Sequence, residues 1–315
     1  MPYHHKRFIK STILKGNPMY KYIGYSQKIL SDTSFDQFIP ADFSEKADIV
    51  IHHYVENEIK DILKNEYQVS VKGRDIFFRN QIGYFEARAG KEIFFEEYPD
   101  QDPAEAKEFV MGNTMAFLFF ERDMNVIHGS AIRFGNKTVI VSGDSGAGKS
   151  TTASKLIREG GKLISDDQSI VYFEDNKAML LPGYPAQKLC VDASERNNYD
   201  IGDLKKVDSQ KNKYAIPRMD EFYGEKSEVD KMFFLSLHEG GEDVEFEKIE
   251  GADKVNIMTN NLFLKPFFTD GIVLPPFAMM ECIKMASKID MYKISRRSGS
   301  NTEDEIFQNI EGTLK

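Results

Sequence analysis

The sequence predicts two domains: a smaller α+β domain at the front of the chain and an α/β domain of the P-loop class behind it. A glycine-rich loop near the middle of the chain stands between a strand pattern and a helix pattern. The residues before it read as short strands and one long helix, and a length of 315 residues suits two separate cores. We place the boundary near residue 125, so that residues 1–125 form a candidate substrate-binding domain and residues 126–315 the nucleotide domain.

Composition and charge argue against several classes of protein. The chain has 41 basic and 50 acidic residues, and its net charge of −9 disfavours a nucleic-acid partner, because a polyanion is repelled unless a local basic patch attracts it. No apolar run approaches the roughly 18 residues of a membrane span, and the N-terminus does not read as a signal peptide. The two cysteines do not form a disulfide framework. We therefore expect a cytoplasmic protein with no membrane or nucleic-acid partner.

The front domain is predicted to combine strands with one helix. β-rich runs predict strands within residues 21–30, 47–53, 67–78 and 82–98. Turn signals at Gly73 and Gly90 divide the last two runs into hairpins. After a stop signal at residues 100–103, apolar residues at helical spacing predict a long helix from residue 104 to about 122.

The nucleotide domain is predicted to alternate between strands and helices. Strands are expected at residues 126–128, 137–142, 162–165, 169–173, 177–181, 231–237 and 290–294, and helices at 151–158 and 277–287. The strand at 137–142 runs directly into the glycine-rich loop. Residues 194–213 are polar and are expected to form loops.

The glycine-rich loop carries the strongest chemical signal. It reads Gly143-Asp144-Ser145-Gly146-Ala147-Gly148-Lys149-Ser150, and Thr151 follows it into the helix. Glycines let backbone amides approach phosphate oxygens closely, and the following helix directs its positive N-terminal end at the same anion. Lys149 can reach the β- and γ-phosphates, and the Ser150 hydroxyl can ligate Mg²⁺. We therefore predict that residues 143–151 bind ATP together with Mg²⁺.

An acidic pair, Asp166 and Asp167, ends the strand that follows the helix of this loop. A neighbouring strand in such a fold delivers its carboxyl end beside the phosphate loop, where a carboxylate can hold the metal or accept a proton. Adjacent carboxylates repel each other, which raises the proton affinity of one of them unless magnesium is bound. The spacing alone also fits a solvated turn.

His128 differs from the other histidines because it ends an apolar strand and precedes Gly129 and Ser130. Small residues there leave room for the imidazole to face a ligand. A lone histidine is often a structural group as well, so both interpretations stay open at this point.

Residues 126–171 resemble the catalytic domain of the bacterial HPr kinase/phosphorylase family, whose P-loop core is similar to that of phosphoenolpyruvate carboxykinase. Three matching elements occur in the family's order. They are His128-Gly129 ahead of the strand, the loop at residues 143–150, and Asp166-Asp167 after the next strand.

This resemblance implies a role for each candidate residue. Lys149 and Ser150 would bind nucleotide and metal, and an aspartate of the pair would act as general base on an acceptor hydroxyl. We assign the base to Asp167 and the metal to Asp166, although the two could exchange roles. His128 would lie near the transferred phosphate.

The sequence departs from true HPr kinases in two places. The family carries Glu directly after the P-loop serine, where this chain has Thr151, and its later glycine-rich signature has no counterpart in this sequence. The front domain and residues 182–189 look more like the HPr-kinase-like proteins of ribosomal-peptide pathways. Those include the kinases that phosphorylate the C-terminal serine of lasso-peptide precursors. In that family a basic residue recurs before the proline of the segment at 211–217, which makes Lys213 a candidate phosphate contact or, equally, a solvated loop lysine.

The predicted function is that of an ATP-dependent kinase acting on a serine-type hydroxyl of a peptide or small protein, with a lasso-type precursor peptide as the favoured acceptor. One alternative is an HPr kinase/phosphorylase acting on a phosphocarrier protein. Another is a nucleotide-sensing module without transfer activity. The sequence leaves the oligomeric state open, a homo-oligomer included.

Overall fold

The computed structural model describes residues 19–65, 68–191, 204–208, 213–268 and 274–315. Most of the polar stretch predicted at residues 194–213 lies outside these ranges. In the described part of the chain no helix is both long and apolar enough to cross a membrane.

The strands of the front part are β1 (Tyr20–Gly24), β2 (Gln27–Ser31), β3 (Ile39–Pro40), β4 (Ile49–His52), β5 (Gln68–Lys72), β6 (Asp75–Arg79), β7 (Gly83–Arg88) and β8 (Glu92–Glu97). They form one sheet in the order β3-β1-β2-β4-β8-β7-β6-β5. Both predicted hairpins are confirmed, β5 with β6 and β7 with β8, and each pairs in antiparallel register. Parallel pairing of β4 with both β2 and β8 joins the two halves of the sheet.

The remaining strands are β9 (Asn125–Phe134), β10 (Lys137–Gly143), β11 (Lys162–Ser165), β12 (Gln168–Glu174), β13 (Lys177–Leu181), β14 (Ala186–Cys190), β15 (Lys205–Asp208), β16 (Lys213–Pro217), β17 (Ser227–Glu228), β18 (Lys231–His238), β19 (Val244–Ile249) and β20 (Asp290–Arg297). Most of them form a mixed second sheet in the order β17-β13-β12-β9-β10-β18-β20-β19, with β11 also paired to β9. β14, β16 and β15 form a small third sheet that the sequence did not predict.

The helices are α1 (Asn57–Ile62), α2 (Pro103–Phe109), α3 (Met115–Glu121), α4 (Lys149–Arg158), α5 (Ala252–Asn260), α6 (Pro276–Lys288) and α7 (Glu303–Leu314). A 3₁₀ turn covers Lys265–Phe268. The sequence predicted α4 and α6 but not α1, α5 or α7.

The single helix predicted from residue 104 to 122 is interrupted by a π turn at Val110–Thr114, which joins α2 to α3. Such a turn accommodates one extra residue and changes which carbonyls find partners within the helix. Side chains supply bonds here: the Thr114 hydroxyl donates to the Phe109 carbonyl at 3.0 Å, and the Tyr25 hydroxyl donates to the Met111 carbonyl at 2.7 Å. Periodicity alone does not reveal a one-residue insertion of this kind.

The helical segment from α2 to α3 packs between the first and second sheets. One hydrophobic cluster includes Phe85 and Phe95 from the first sheet, Phe117 from α3, and Val126 and Ile170 from the second sheet. Two further clusters cover the second sheet. One lies under α5 and α6 and includes Met258 and Cys282, and the other lies under α4 and α7 and includes Leu156 and Ile306.

The last residue of α3, Glu121, has a buried carboxyl group. Glu121 is 7% exposed, and its Oε2 accepts a hydrogen bond from the backbone N–H of Gly90. Burial raises the pKa of Glu121 to about 8; the bond from Gly90 opposes this rise and the charge of Asp75 adds to it. The folded protein therefore keeps a proton on Glu121 at pH values where the unfolded chain, with an ordinary pKa of 4.5, has lost it.

We expect Glu121→Gln to remove a pH dependence of stability. Because the folded state binds the extra proton between about pH 4.5 and 8, the wild-type free energy of unfolding should fall as pH rises through that window. The free energy of unfolding of the variant, relative to that of the wild type, should increase by on the order of 1–4 kcal/mol between pH 5 and 8. Urea unfolding at several pH values measures it, with Asp123→Asn as an exposed control. A difference that does not change with pH would contradict the buried neutral carboxyl.

Candidate active site

The glycine-rich loop joins β10 to α4, as the sequence predicted. β10 ends at Gly143 and α4 begins at Lys149, directly after Gly148. The loop is fixed at its base, because the backbone N–H of Asp144 donates to the Leu235 carbonyl at 2.9 Å and that of Ala147 to the Asp144 carbonyl at 3.2 Å. The backbone of the loop is thus tied to the neighbouring parallel strand β18.

Two glycines of the loop are required by its geometry. Gly143 has a φ of 137°, and a Cβ atom at this position would lie 2.1 Å from the Leu235 carbonyl oxygen. Gly148 has a φ of 105°, a left-handed conformation in which it caps the N-terminus of α4. The backbone therefore takes a path at these two positions that other residues could not follow without strain.

Lys149 folds back over the loop. Its ammonium donates to the carbonyls of Gly143 at 2.8 Å and of Asp144 at 3.0 Å. Ser150 and Thr151 occupy the first turn of α4 and are partly exposed. In the loop itself, residues 144–146 are exposed and Ala147 is buried. Residues 143–151 thus follow one another at the carboxyl end of β10, with residues 144–146 exposed to solvent.

The acidic pair lies at the same edge because of how β9 is paired. β10 runs antiparallel to β9 along one side, and β11 and β12 follow each other antiparallel to β9 along the other. β10 and β11 therefore point the same way, and their carboxyl ends meet at one edge. β11 ends at the acidic pair, as the sequence predicted, and β12 continues beside β9 after a two-residue interruption.

Asp166 is held by protein groups on both oxygens. Oδ1 accepts from the Ser130 hydroxyl at 2.7 Å, and Oδ2 accepts from the backbone N–H of Lys188 at 2.7 Å. Burial raises the pKa of Asp166, the adjacent Asp167 charge adds to the rise, and the two hydrogen bonds oppose it. The side chain is consequently fixed in orientation between β9 and β14.

Asp167 has a left-handed backbone, with a φ of 65°. In a regular strand its side chain would point away from that of Asp166, and the left-handed residue breaks this alternation. Its Oδ1 lies 3.6 Å from Nδ1 of His128, and the two side chains are 26% and 39% exposed. The kink thus aims a partly exposed carboxylate at the histidine that the sequence singled out.

Positive charge surrounds this carboxylate. Burial by itself would raise the pKa of Asp167, but the charges of nearby cations outweigh burial and lower it; these are Lys188, His128, Lys213 and Lys149. Lys149, His128 and Lys213 therefore all lie close enough to the acidic pair for their charges to act on it. Asp167 is ionised in it at neutral pH.

Lys188 and Glu108 are site residues whose roles the sequence did not predict. The Lys188 ammonium is 12% exposed and forms an ion pair with Glu108 Oε2 at 3.1 Å. Burial would lower the pKa of Lys188, yet Tyr184, Glu108 and Asp167 raise it well above its ordinary value. Glu108 Oε1 also accepts from the Gln37 side chain at 2.8 Å. A chain of contacts thus runs from the turn between β2 and β3 through α2 and Lys188 to the acidic pair.

The donor groups fit a magnesium ion that arrives with a nucleotide. Mg²⁺ is usually held by one or two carboxylates together with substrate phosphates and water. The Ser150 hydroxyl at the start of α4 and the second lone pairs of the Asp166 oxygens are such donors. Within the described ranges, no group of three or more His, Cys, Asp and Glu side chains could hold a metal by itself.

Comparison with known proteins gives partial matches. No family model matches the chain. A stretch of 70 residues is 39% identical to the HPr kinase/phosphorylase of Pediococcus pentosaceus and covers 22% of each chain. A stretch of 54 residues is 41% identical to the HPr kinase/phosphorylase of Limosilactobacillus reuteri and covers 17% of each. The match thus spans about a fifth of the length of these curated relatives.

One solved structure, the Hpr(Ser) kinase/phosphatase from Coxiella burnetii, aligns with 60% of this chain and 95% of its own, with 13% identity and a TM-score of 0.32. That score is too low to compare the two folds in detail. The sequence matches confirm the predicted resemblance to HPr kinase/phosphorylases over part of the chain. They do not extend it to the kinases of lasso-peptide precursors.

Breaking the Lys188–Glu108 pair should destabilise the fold. Lys188→Met leaves Glu108 buried without its cation, which should cost about 3–5 kcal/mol of unfolding free energy. The double variant Lys188→Met/Glu108→Gln should recover at least about 1 kcal/mol of that loss, because the buried charge is gone. Urea unfolding gives both values.

A matched control is Lys177→Met, which removes an ion pair with Glu228 whose side chains are 56% and 50% exposed. It should cost less than about 1 kcal/mol. Equal costs for Lys188→Met and Lys177→Met would show that the inner pair is not buried in solution.

Proposed function

We propose that this chain is an ATP-dependent kinase that transfers the γ-phosphoryl group to a serine-type hydroxyl of a peptide or small protein. The observation that carries the proposal is the arrangement at one sheet edge. There, an ionised Asp167 beside His128 faces the same region as Lys149 of the phosphate loop. The partial identity to HPr kinase/phosphorylases supports phosphoryl transfer to serine.

Each residue has a role in the proposed reaction. The backbone of residues 143–150 and the Lys149 ammonium hold the phosphates, and Thr151 continues the helix that faces them. Ser150 and Asp166 hold Mg²⁺, which neutralises charge on the phosphates when it is bound. Lys213 contacts a phosphate from β16. These contacts orient the γ-phosphorus toward the acceptor oxygen and stabilise the charge that spreads over its oxygens.

The chemical step needs one proton acceptor. The acceptor oxygen forms a bond to the γ-phosphorus, the bond from that phosphorus to the β–γ bridging oxygen breaks, and ADP leaves. Asp167 takes the hydroxyl proton, and the low pKa of Asp167 keeps it available as a base at neutral pH. His128, near the transferred group, stabilises charge or orients Asp167.

The acceptor is proposed to be a ribosomally made precursor peptide of the lasso type. The phosphocarrier protein HPr is the second candidate, because the relatives that match this chain are HPr kinase/phosphorylases. Mass spectrometry of phosphoserine after incubation with Mg-ATP and either HPr or a precursor peptide ending in serine distinguishes the two. Modification of neither substrate, with intact ATP binding, would favour a nucleotide-sensing module.

Lys149→Ala should abolish transfer or weaken Mg-ATP binding at least about tenfold, because a phosphate loses its charge-assisted bond. The fold should be unaffected, since the two hydrogen bonds described above join the Lys149 ammonium to carbonyls of its own loop. Isothermal titration with Mg-ATP measures binding, and Lys162→Ala, an exposed lysine at the start of β11, is the control. Undiminished binding and transfer in Lys149→Ala would remove the basis of the assignment.

Asp167→Asn separates the base from the metal ligand. Loss of general-base help should lower kcat by about 10²–10⁴-fold with little change in ATP affinity. If Asp166 holds the metal, Asp166→Asn should weaken Mg-ATP binding, and more Mg²⁺ should restore part of the rate. His128→Ala should slow transfer less than Asp167→Asn. Measuring kcat and ATP affinity on the acceptor that is modified compares all three, and a near wild-type kcat in Asp167→Asn would transfer the base role elsewhere.

A further inference from the structure

Arg296 reaches the phosphate loop from the last strand of the second sheet. It lies near the carboxyl end of β20, which is separated from β10 by β18. Its guanidinium donates from Nε to the Ala147 carbonyl at 2.8 Å and from Nη2 to the Gly146 carbonyl at 3.2 Å. Nη1 donates to the Ser300 carbonyl at 3.5 Å, which ties the group to the turn after β20.

These bonds fix the direction of two peptide groups. In a trans peptide the carbonyl of one residue and the N–H of the next point in opposite directions. With the carbonyls of Gly146 and Ala147 held against Arg296, the following N–H groups point away from it. The N–H of Ala147 closes the loop onto Asp144. The N–H of Gly148, at the N-terminus of α4, points away from Arg296.

The planar shape of the guanidinium suits this task. Two neighbouring carbonyls are met by two N–H groups of one planar fork, whose fixed geometry a flexible lysine ammonium lacks. The guanidinium also lies directly against the loop at Gly148, because a Cβ at that position would be in ordinary van der Waals contact with Arg296 Nε, at 3.5 Å. The fit involves charge and shape together.

We infer that Arg296 is a positioning residue for nucleotide binding. Its guanidinium holds the loop at residues 143–150 from the outer side, so that the backbone N–H groups of the loop face the phosphates. The inference rests on the proposed function for its ligand, ATP. The effect of Arg296 on the conformation of the loop does not require that the loop binds ATP. Arg296 acts on ATP through the loop and is given no part in the transfer of the phosphoryl group.

The first measurement is Mg-ATP affinity by isothermal titration, with variants at two adjacent arginines. Arg296→Met should weaken binding at least about tenfold, since two charge-assisted bonds to the loop are lost. Arg296→Lys keeps the charge and should recover only part of the affinity. Arg297→Met is the matched control. Arg297 pairs with Asp243 and donates to the Ser300 hydroxyl, and its loss should leave affinity within about twofold of the wild type.

The second measurement is hydrogen exchange of the peptide covering residues 143–150 in the ATP-free protein, read by mass spectrometry. Exchange should be faster in Arg296→Lys and Arg296→Met than in the wild type and in Arg297→Met. If Arg296→Met fails to fold by circular dichroism, Arg296→Lys carries the test. If Arg296→Lys has the Mg-ATP affinity and the loop hydrogen exchange of the wild type, the inference is overturned, because a positive charge without the planar guanidinium would then be enough to order the loop. Wild-type affinity in a folded Arg296→Met would overturn it as well.

Failure of the proposed function gives a different result. If the wild type does not bind Mg-ATP but exchange still rises in Arg296→Lys, the proposed function is wrong and the ordering of the loop by Arg296 stands. If the wild type binds Mg-ATP and both Arg296 variants match it in affinity and exchange, the role of Arg296 is wrong and the proposed function stands.

Discussion

The arrangement of the candidate site depends on the pairing of β9 with three other strands. β10 lies along one side of β9, and β11 and β12 share the other side in succession. This pairing alone brings the carboxyl ends of β10 and β11 to the same edge, beside His128 on β9. A shift of one residue in either pairing would turn every side chain of the shifted strand to the opposite face of the sheet. The register of these strands therefore fixes which groups can act together.

Within this frame two adjacent aspartates have different environments. Asp166 is enclosed by a hydroxyl and a backbone N–H, and burial raises its pKa. Asp167 is turned by its left-handed backbone toward several cations, which lower its pKa despite burial. Two adjacent carboxyl groups thus have different surroundings: one is held by two hydrogen bonds, and the other faces several cations. Sites that need two carboxyl groups of unequal proton affinity are commonly built by such differences in surroundings.

Much of the site could be predicted because its signals are local. The glycine-rich loop, the acidic pair and both front hairpins are each encoded by fewer than about twenty consecutive residues. In the structure they lie where the periodicity and the turn residues predicted them. Arg296, Lys188 and Glu108 carry no local signal. Arg296 meets the loop across 149 positions of sequence, and its partners are main-chain carbonyls that have no residue identity to recognise. Both strands around the acidic pair were predicted, but not that β11 and β12 pair with the same side of β9, because a pair of aspartates resembles an ordinary turn.

The π turn between α2 and α3 makes this part of the chain sensitive to length. An α-helix advances about 100° per residue, so the extra residue at Val110–Thr114 rotates α2 by that amount relative to α3. Glu108 faces Lys188 in that orientation while Phe117 stays in the core. Deleting one residue there would give a more regular helix but would turn Glu108 away from Lys188. Insertions and deletions in this segment therefore change the alignment between the front part of the chain and the site.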